Sequence, residues 1–130
     1  MTDNGKRILL VEDETMVRKT QALILNKYGY SVRDFASGRE AISAIHFGKL
    51  QFDIAIVDIV MPELSGPEFV KLARPLLGDL PVLFFSAYKQ QDLGNVLDDI
   101  PNAAFLSKPG SHVGLIDKIE QMIADHARPN

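Results

Sequence analysis

Five short apolar runs, recurring at similar intervals, constrain the fold of this chain more than any other feature. They are Arg7–Val11, Ser31–Phe35, Ile54–Asp58, Pro81–Ser86 and Ala103–Ser107. Four are nearly continuous in apolar residues, as parallel strands covered on both faces require. Ser31–Phe35 is more polar, which suits a sheet edge. Between the runs, apolar residues return at helical spacing. Met16, Thr20 and Leu23, with Val17 and Ile24, make a first stripe. Ile42 and Ile45, flanked by Ala41 and Ala44, make a second; Phe69, Leu72, Ala73 and Leu76 make a third. Leu93, Val96, Leu97 and Ile100 form a fourth, and Leu115, Ile116, Ile119, Met122 and Ile123 a fifth.

Helix-start signals agree with this reading. Ser37 with Glu40, and Ser65 with Glu68, have capping-box spacing. Pro67 falls in a first turn, where its missing N–H costs little. The fourth helical segment is the weakest. Gly94 inside it costs about 1 kcal/mol relative to alanine, Asn95 weakens it further, and it is expected to be the most mobile.

The alternation (βα)5 predicts a doubly wound α/β fold: a five-stranded parallel sheet with helices on both faces. The 130 residues suit a single domain with a core from about residue 6 to 127 and no output domain. With no cysteine, disulfides and thiolate metal sites are excluded. No apolar run approaches the ~18 residues of a membrane span, and residues 1–6 lack a signal-peptide core. A cytoplasmic protein is expected. The net charge of -3 argues against direct nucleic-acid binding, which needs a positive footprint.

In open parallel sheets, sites form beyond the carboxyl ends of the strands. Here the first run leads into Glu12, Asp13 and Glu14, the third ends in Asp58, the fourth in Ser86, and the fifth leads to Lys108. Crowded carboxylates repel, and at least one pKa rises unless a cation is present. Magnesium, a hard cation bound through oxygens, resolves that conflict. Asp58 can then attack phosphorus to give an aspartyl phosphate. Phosphoryl transfer needs positioning and charge neutralisation above all. Lys108 and Ser86 supply a cation and a hydroxyl donor for the phosphoryl oxygens. Taken singly, each residue is ordinary: Asp13 fits a helix cap, and Lys-Pro is a common loop pair. The ordered set at successive strand ends carries the argument.

With these motifs on view, the chain resembles the receiver domains of two-component response regulators, from about Lys6 to about Ala127. The matching segments are residues 8–14, 53–62, 64–66, 81–87 and 105–109. The resemblance implies a flavodoxin-like strand order 2-1-3-4-5. It implies that Asp58 is the phosphoacceptor, and that Glu12, Asp13, Asp58 and the backbone carbonyl of Val60 hold Mg2+. Ser86 matches the hydroxyl residue that follows the phosphoryl group, Lys108 the family lysine, and Phe105 the aromatic switch. The Lys108–Pro109 bond is expected to be cis, against a background of ~5% for X–Pro bonds. The implied phosphoryl donor is a sensor histidine kinase or a histidine phosphotransfer protein. The implied signalling face is the fourth helix, fifth strand and fifth helix. In relatives that face controls a partner or output domain and often forms a phosphorylation-dependent homodimer. Such a domain is a phosphoacceptor regulator, an enzyme only toward its own phosphorylation and dephosphorylation.

The chain also departs from common family residues. Phe105 has no hydroxyl, so its two states differ only by burial and packing. Val60 and Tyr88 occupy the positions that tune phosphoryl lifetime, and neither orients a water as a carboxylate or amide does. A long-lived phosphoryl group is expected. Gly110 stands where relatives often carry a bulky apolar residue, which leaves the local packing open.

Other functions fit less well. A haloacid-dehalogenase-type phosphatase needs a second acid two residues after its nucleophile, where this chain has Val60. The P-loop signature is absent. A flavodoxin's first loop is rich in Ser, Thr and Gly, whereas Glu12–Glu14 would repel a phosphate. A pseudo-receiver, acting only as an interaction module, would not need the complete acidic, hydroxyl and lysine set. His46, His112 and His126 show no paired metal spacing. Glu14 reads as a carboxylate favoured by a helix N-terminus.

Overall fold

The computed structural model describes residues 4–87, 91, 94–95, 97–108 and 112–127. In chain order the elements are β1 (Arg7–Val11), α1 (Thr15–Lys27), β2 (Ser31–Phe35), α2 (Gly38–Gly48), β3 (Ile54–Val57), α3 (Gly66–Leu77), β4 (Val82–Ser86), β5 (Ala103–Ser107) and α4 (His112–Ala127). The strands form one parallel sheet in the order β2-β1-β3-β4-β5. This is the flavodoxin-like order that the resemblance implied. Asp58 lies one residue beyond β3, and Pro81 one residue before β4.

Alternation along the strands splits the core in two. Leu9, Val11, Ala55, Val57, Val82 and Phe84 pack toward α2 and α3. Ile8, Leu10, Ile54, Ile56, Leu83 and Phe85 pack toward α1 and α4. Because β1, β3 and β4 are covered on both faces, they are apolar at nearly every position. β2 lies at an edge and is largely exposed, as its polarity indicated.

The helix starts follow the sequence with one difference. Ser65 and Glu68 form a full capping box: Glu68 N–H donates to Ser65 Oγ at 3.3 Å, and Ser65 N–H to Glu68 Oε1 at 3.0 Å. At α2, Glu40 N–H donates to Ser37 Oγ at 3.2 Å, but the Glu40 carboxylate accepts from Ala36 instead of Ser37. Helix α1 has Glu14 at its N-cap and no side-chain cap, so Asp13 is free of that structural duty.

Two apolar stripes are rotated from the expected faces. In α1 the buried residues are Gln21 and Leu25, while Met16 and Leu23 are 76% and 69% exposed. Arg18 fixes that rotation by reaching Asp34 and the Glu12 carbonyl oxygen. In α3 the buried face runs Gly66, Phe69, Val70 and Ala73, and Leu72 and Leu76 are exposed. Here the close approach of Gly66 to the backbone of Asp58 sets the rotation.

The fourth helical segment departs from expectation in its described residues. Gly94–Asn95 and Leu97–Asp99 lie in turns, closed by i to i+3 hydrogen bonds from Asp98 to Asn95 and from Ile100 to Leu97, both 3.1 Å. Gly94 has φ 59°, a left-handed conformation incompatible with a continuous α-helix. Ile100 is nonetheless buried in the core facing α2 and α3. The readings of Leu93, Val96, Tyr88, Pro109 with its peptide bond, and Gly110 lie outside the described residues.

Candidate acidic site at the strand ends

Three of the site residues, Glu12, Asp58 and Lys108, are held just past a strand by a hydrogen bond that continues the sheet. Glu12 N–H donates to the Phe35 carbonyl at 3.1 Å, extending the β1–β2 pairing. Asp58 N–H donates to Val11 at 3.1 Å, extending β1–β3, and Lys108 N–H donates to Ser86 at 2.7 Å, extending β4–β5. The sheet therefore brings together residues far apart in sequence. Ligand oxygens of Glu12, Asp13 and Asp58 all lie within 4.8 Å of one another. This is the one such metal-ligating group found among the described residues.

The surroundings make the cluster electrostatically tense. Glu12 is only 2% exposed, and Asp13 is half-buried. Burial pushes the Glu12 carboxyl above its usual range, and the negative charge of Asp58 adds to that push. The ion pair with Lys108 and the Glu14 N–H oppose it. Lys108 Nζ pairs with Glu12 Oε1 and lies 3.6 Å from Asp58 Oδ2. It also sits 5.5 Å from the centre of the Phe85 ring, within cation–π range.

Asp58 is partly accessible and oriented. Its side chain is 14% exposed, and Oδ1 accepts from Ile59 N–H at 2.7 Å. That leaves Oδ2 as the oxygen facing Lys108. Three carboxylates, with no sulfur and no imidazole in the set, suit a hard divalent cation of the magnesium class. Such a cation would offset both the burial that raises the Glu12 pKa and the Asp58 charge that adds to it.

The remaining predicted residues surround this cluster. Ser86 ends β4 and is buried, 1% exposed. Phe105, at the middle of β5, is half-buried against the core facing α2 and α3 and pairs in register with Phe84. Val60 is exposed on the loop after Asp58, while its neighbours Ile59 and Met61 are buried. His46 and His112 are exposed, and His126 lies 4.0 Å from Asp79; none joins the acidic cluster.

Sequence reasoning missed Arg18. Its Nη1 donates to the Glu12 carbonyl at 2.9 Å, and its Nε pairs with Asp34 at 3.2 Å. The side chain is only 14% exposed. It locks the backbone that presents Glu12 and Asp13. The only sequence signal was a cation on the buried side of α1, and an apolar stripe count passes over it.

Comparison with known proteins places this geometry. A sequence model described as the response regulator receiver domain matches residues 8–120. The chain is 34% identical over 118 residues to the response regulator receiver protein CpdR of Brucella abortus (strain 2308), covering 91% of this chain and 97% of CpdR. It is 34% identical over 116 residues to the sensor kinase CckA of the same organism, covering 89% of this chain but only 12% of CckA. Among solved structures, the response regulator TrrA of Thermotoga maritima, in complex with Mg2+-BeF, superposes with a TM-score of 0.77. The two share 26% identity, over 90% of this chain and 98% of TrrA. Among the described residues, no helix is long and apolar enough to cross a membrane.

Proposed function

The chain belongs to the response regulator receiver family of two-component signalling, and on that premise we propose that it is a switch phosphorylated on Asp58. The observation that carries this reading is the convergence of Glu12, Asp13 and Asp58, with Lys108 bridging Glu12 toward Asp58.

In the proposed reaction an Asp58 carboxylate oxygen attacks phosphorus. The bond from phosphorus to the donor's histidine nitrogen breaks, and the imidazole keeps that electron pair. Oδ2 is the better placed attacking oxygen, since Oδ1 is committed to Ile59 N–H. Glu12, Asp13, Asp58 and the Val60 carbonyl would hold Mg2+, which supplies charge neutralisation for the transferring group. TrrA, a relative solved with Mg2+-BeF, is the precedent for that ion. The Lys108 ammonium would balance one phosphoryl oxygen, and the Ser86 hydroxyl would donate to another. Phe105 would follow Ser86 by exchanging half-burial for deeper packing.

The donor would be a sensor histidine kinase or a histidine phosphotransfer protein. The signal would leave through the face made by residues 97–102, β5 and α4, toward a target, an output domain or a second copy. The two matched relatives illustrate two settings: CpdR is nearly all receiver, whereas the receiver is a small part of CckA.

The test is intact-protein mass spectrometry after incubation with acetyl phosphate, with and without Mg2+. A single Mg2+-dependent phosphoryl adduct, absent from Asp58→Asn, supports the reading. No adduct from acetyl phosphate or from a panel of histidine kinases and phosphotransfer proteins would leave an interaction module in its place.

A further inference from the structure

Arg18 grips the backbone on both sides of Asp13. Its own N–H donates to the Glu14 carbonyl at 2.8 Å, and its Nη1 donates to the Glu12 carbonyl at 2.9 Å. Glu12 N–H is held in turn by the Phe35 carbonyl at 3.1 Å. The guanidinium is anchored on the same strand, since Nε lies 3.2 Å from Oδ2 of Asp34, the residue before Phe35. A ring of contacts therefore runs from β2 through Arg18 to the acidic loop and back to β2. The Glu12 carboxylate has fixings of its own, Lys108 on Oε1 and Glu14 N–H on Oε2. Asp13 is carried on the backbone between the two carbonyls that Arg18 holds.

Neither stability nor charge accounts well for this brace. The Asp34 side chain is 41% exposed, and an ion pair so open to solvent is worth little. The Arg18 charge, set beside the acidic cluster, opposes a second cation there. Orientation remains. The ligands of a hard cation must converge, and the groups that orient them commonly decide affinity. Arginine suits that task, because its planar guanidinium serves two acceptors in fixed directions, whereas lysine is a point charge on a flexible stem.

We infer that Arg18, anchored by Asp34, is a positioning residue for the divalent cation at Glu12, Asp13 and Asp58. The inference rests on the proposed cation site. It adds that the edge strand β2, acting through Arg18, sets the affinity of that site.

The test titrates Mn2+, an oxygen-binding stand-in for Mg2+, into the whole chain with no phosphoryl donor. Electron paramagnetic resonance counts the free Mn2+. Arg18→Met is expected to weaken binding about tenfold, as for other groups that orient metal ligands. A pure charge effect has the opposite sign, since removing a cation tightens binding. Arg18→Lys keeps the charge without the planar fork and is expected to stay weaker than wild type. It also carries the test if circular dichroism and urea unfolding in EDTA show that Arg18→Met does not fold. Adding Asp34→Ala to Arg18→Met is expected to cost little more, because the brace is already broken. Cancelling charges would instead restore wild-type binding. The inference is overturned if Arg18→Met binds as tightly as wild type or more tightly, if Arg18→Lys matches wild type, or if the double variant regains wild-type affinity. No binding by wild type, or binding that Asp58→Asn leaves unchanged, overturns the cation site itself and the inference with it.

Discussion

Gly66 and Asp58 touch through their backbones: a Cβ on residue 66 would fall 2.2 Å from the Asp58 carbonyl oxygen. The same atom would lie 3.1 Å from Ile59 Cα, and Gly66 N–H donates to the Ile59 carbonyl at 2.8 Å. The start of α3 is thus pressed onto the peptide that presents the Asp58 carboxylate.

Gly66→Ala should therefore cost stability, because the obstacle is backbone and cannot swing aside. A loss of about 1–3 kcal/mol is expected, in the range of overpacked sites. Urea unfolding measures it. Gly48→Ala, whose Cβ would meet only the Leu50 side chain at 3.4 Å, is the matched control and should be close to neutral.

Lys108→Met should expose the strain on Glu12. The folded Glu12 carboxyl titrates above its ordinary value, so its contribution to stability is greatest below about pH 4.5 and falls as pH rises through the folded pKa. Losing the cation deepens that fall, by up to about 3 kcal/mol at neutral pH, as for a broken buried pair. Denaturation in EDTA at pH 5 and pH 8 should show a larger gap for the variant than for wild type. Added Mg2+ should narrow the gap at pH 8. Equal gaps in both proteins would refute the account.

Glu68 gives the opposite pH sign. Its hydrogen bonds with the Ser65 backbone and side chain hold its carboxyl below the ordinary value. Its contribution is present above about pH 4.5 and disappears as pH falls through the lowered folded pKa. Glu68→Gln should remove that acid-side loss while α3 remains. Ser65→Ala should cost about 1 kcal/mol through the lost cap, and more above about pH 4.5, where the Ser65 hydroxyl also favours the ionised Glu68. Thermal melts from pH 3 to 7 separate the two effects.

Arg74 binds three carbonyls at the opposite end of the sheet from the acidic cluster: Gly78 at 3.0 Å, Leu80 at 2.7 Å, and Pro101. Burial lowers its pKa, and Asp79 pulls it back up. Arg74→Met should leave those acceptors without their donor and cost about 2 kcal/mol. Amide exchange should quicken at Ile100 and Val82, whose N–H groups are bonded in the turn and strand that Arg74 ties together. Unchanged exchange there would show that the turn holds without the clamp.

If Asp58 is phosphorylated as proposed, the phosphoryl group is expected to be long-lived, because the Val60 side chain offers no group to orient an attacking water. Val60 is 53% exposed, so Val60→Asn should be accommodated and should speed dephosphorylation. Mass-spectrometric decay after removal of acetyl phosphate reads the rate. Rapid decay in wild type, unaltered in Val60→Asn, would count against this explanation.

The strands were legible to within a residue, because three of the five are covered on both faces and leave an uninterrupted apolar signature. The helices existed as read, apart from the segment around Gly94, but the buried face of α1 was not legible and that of α3 only in part, Phe69 and Ala73 being buried as read. Apolar counting favoured Leu23 and Leu72, which are exposed, over Gln21 and Gly66, which are buried. A polar side chain or a glycine is buried only when a specific neighbour waits for it, and that neighbour lies elsewhere in the chain.

By itself the sequence determined the alternation of elements outside the segment around Gly94, and the identity of the residues at the strand ends, because periodicity and strand-end polarity are local properties. The strand order followed from resemblance, and the sheet bears it out. Only the tertiary structure decided that Lys108 pairs with Glu12, 96 residues away, while lying 3.6 Å from Asp58. It alone decided that Arg18 braces the backbone of Glu12 and that Gly66 lies against Asp58. Those contacts depend on strand register and helix rotation. Both are settled by packing across the whole sheet, and no stretch of sequence encodes them alone.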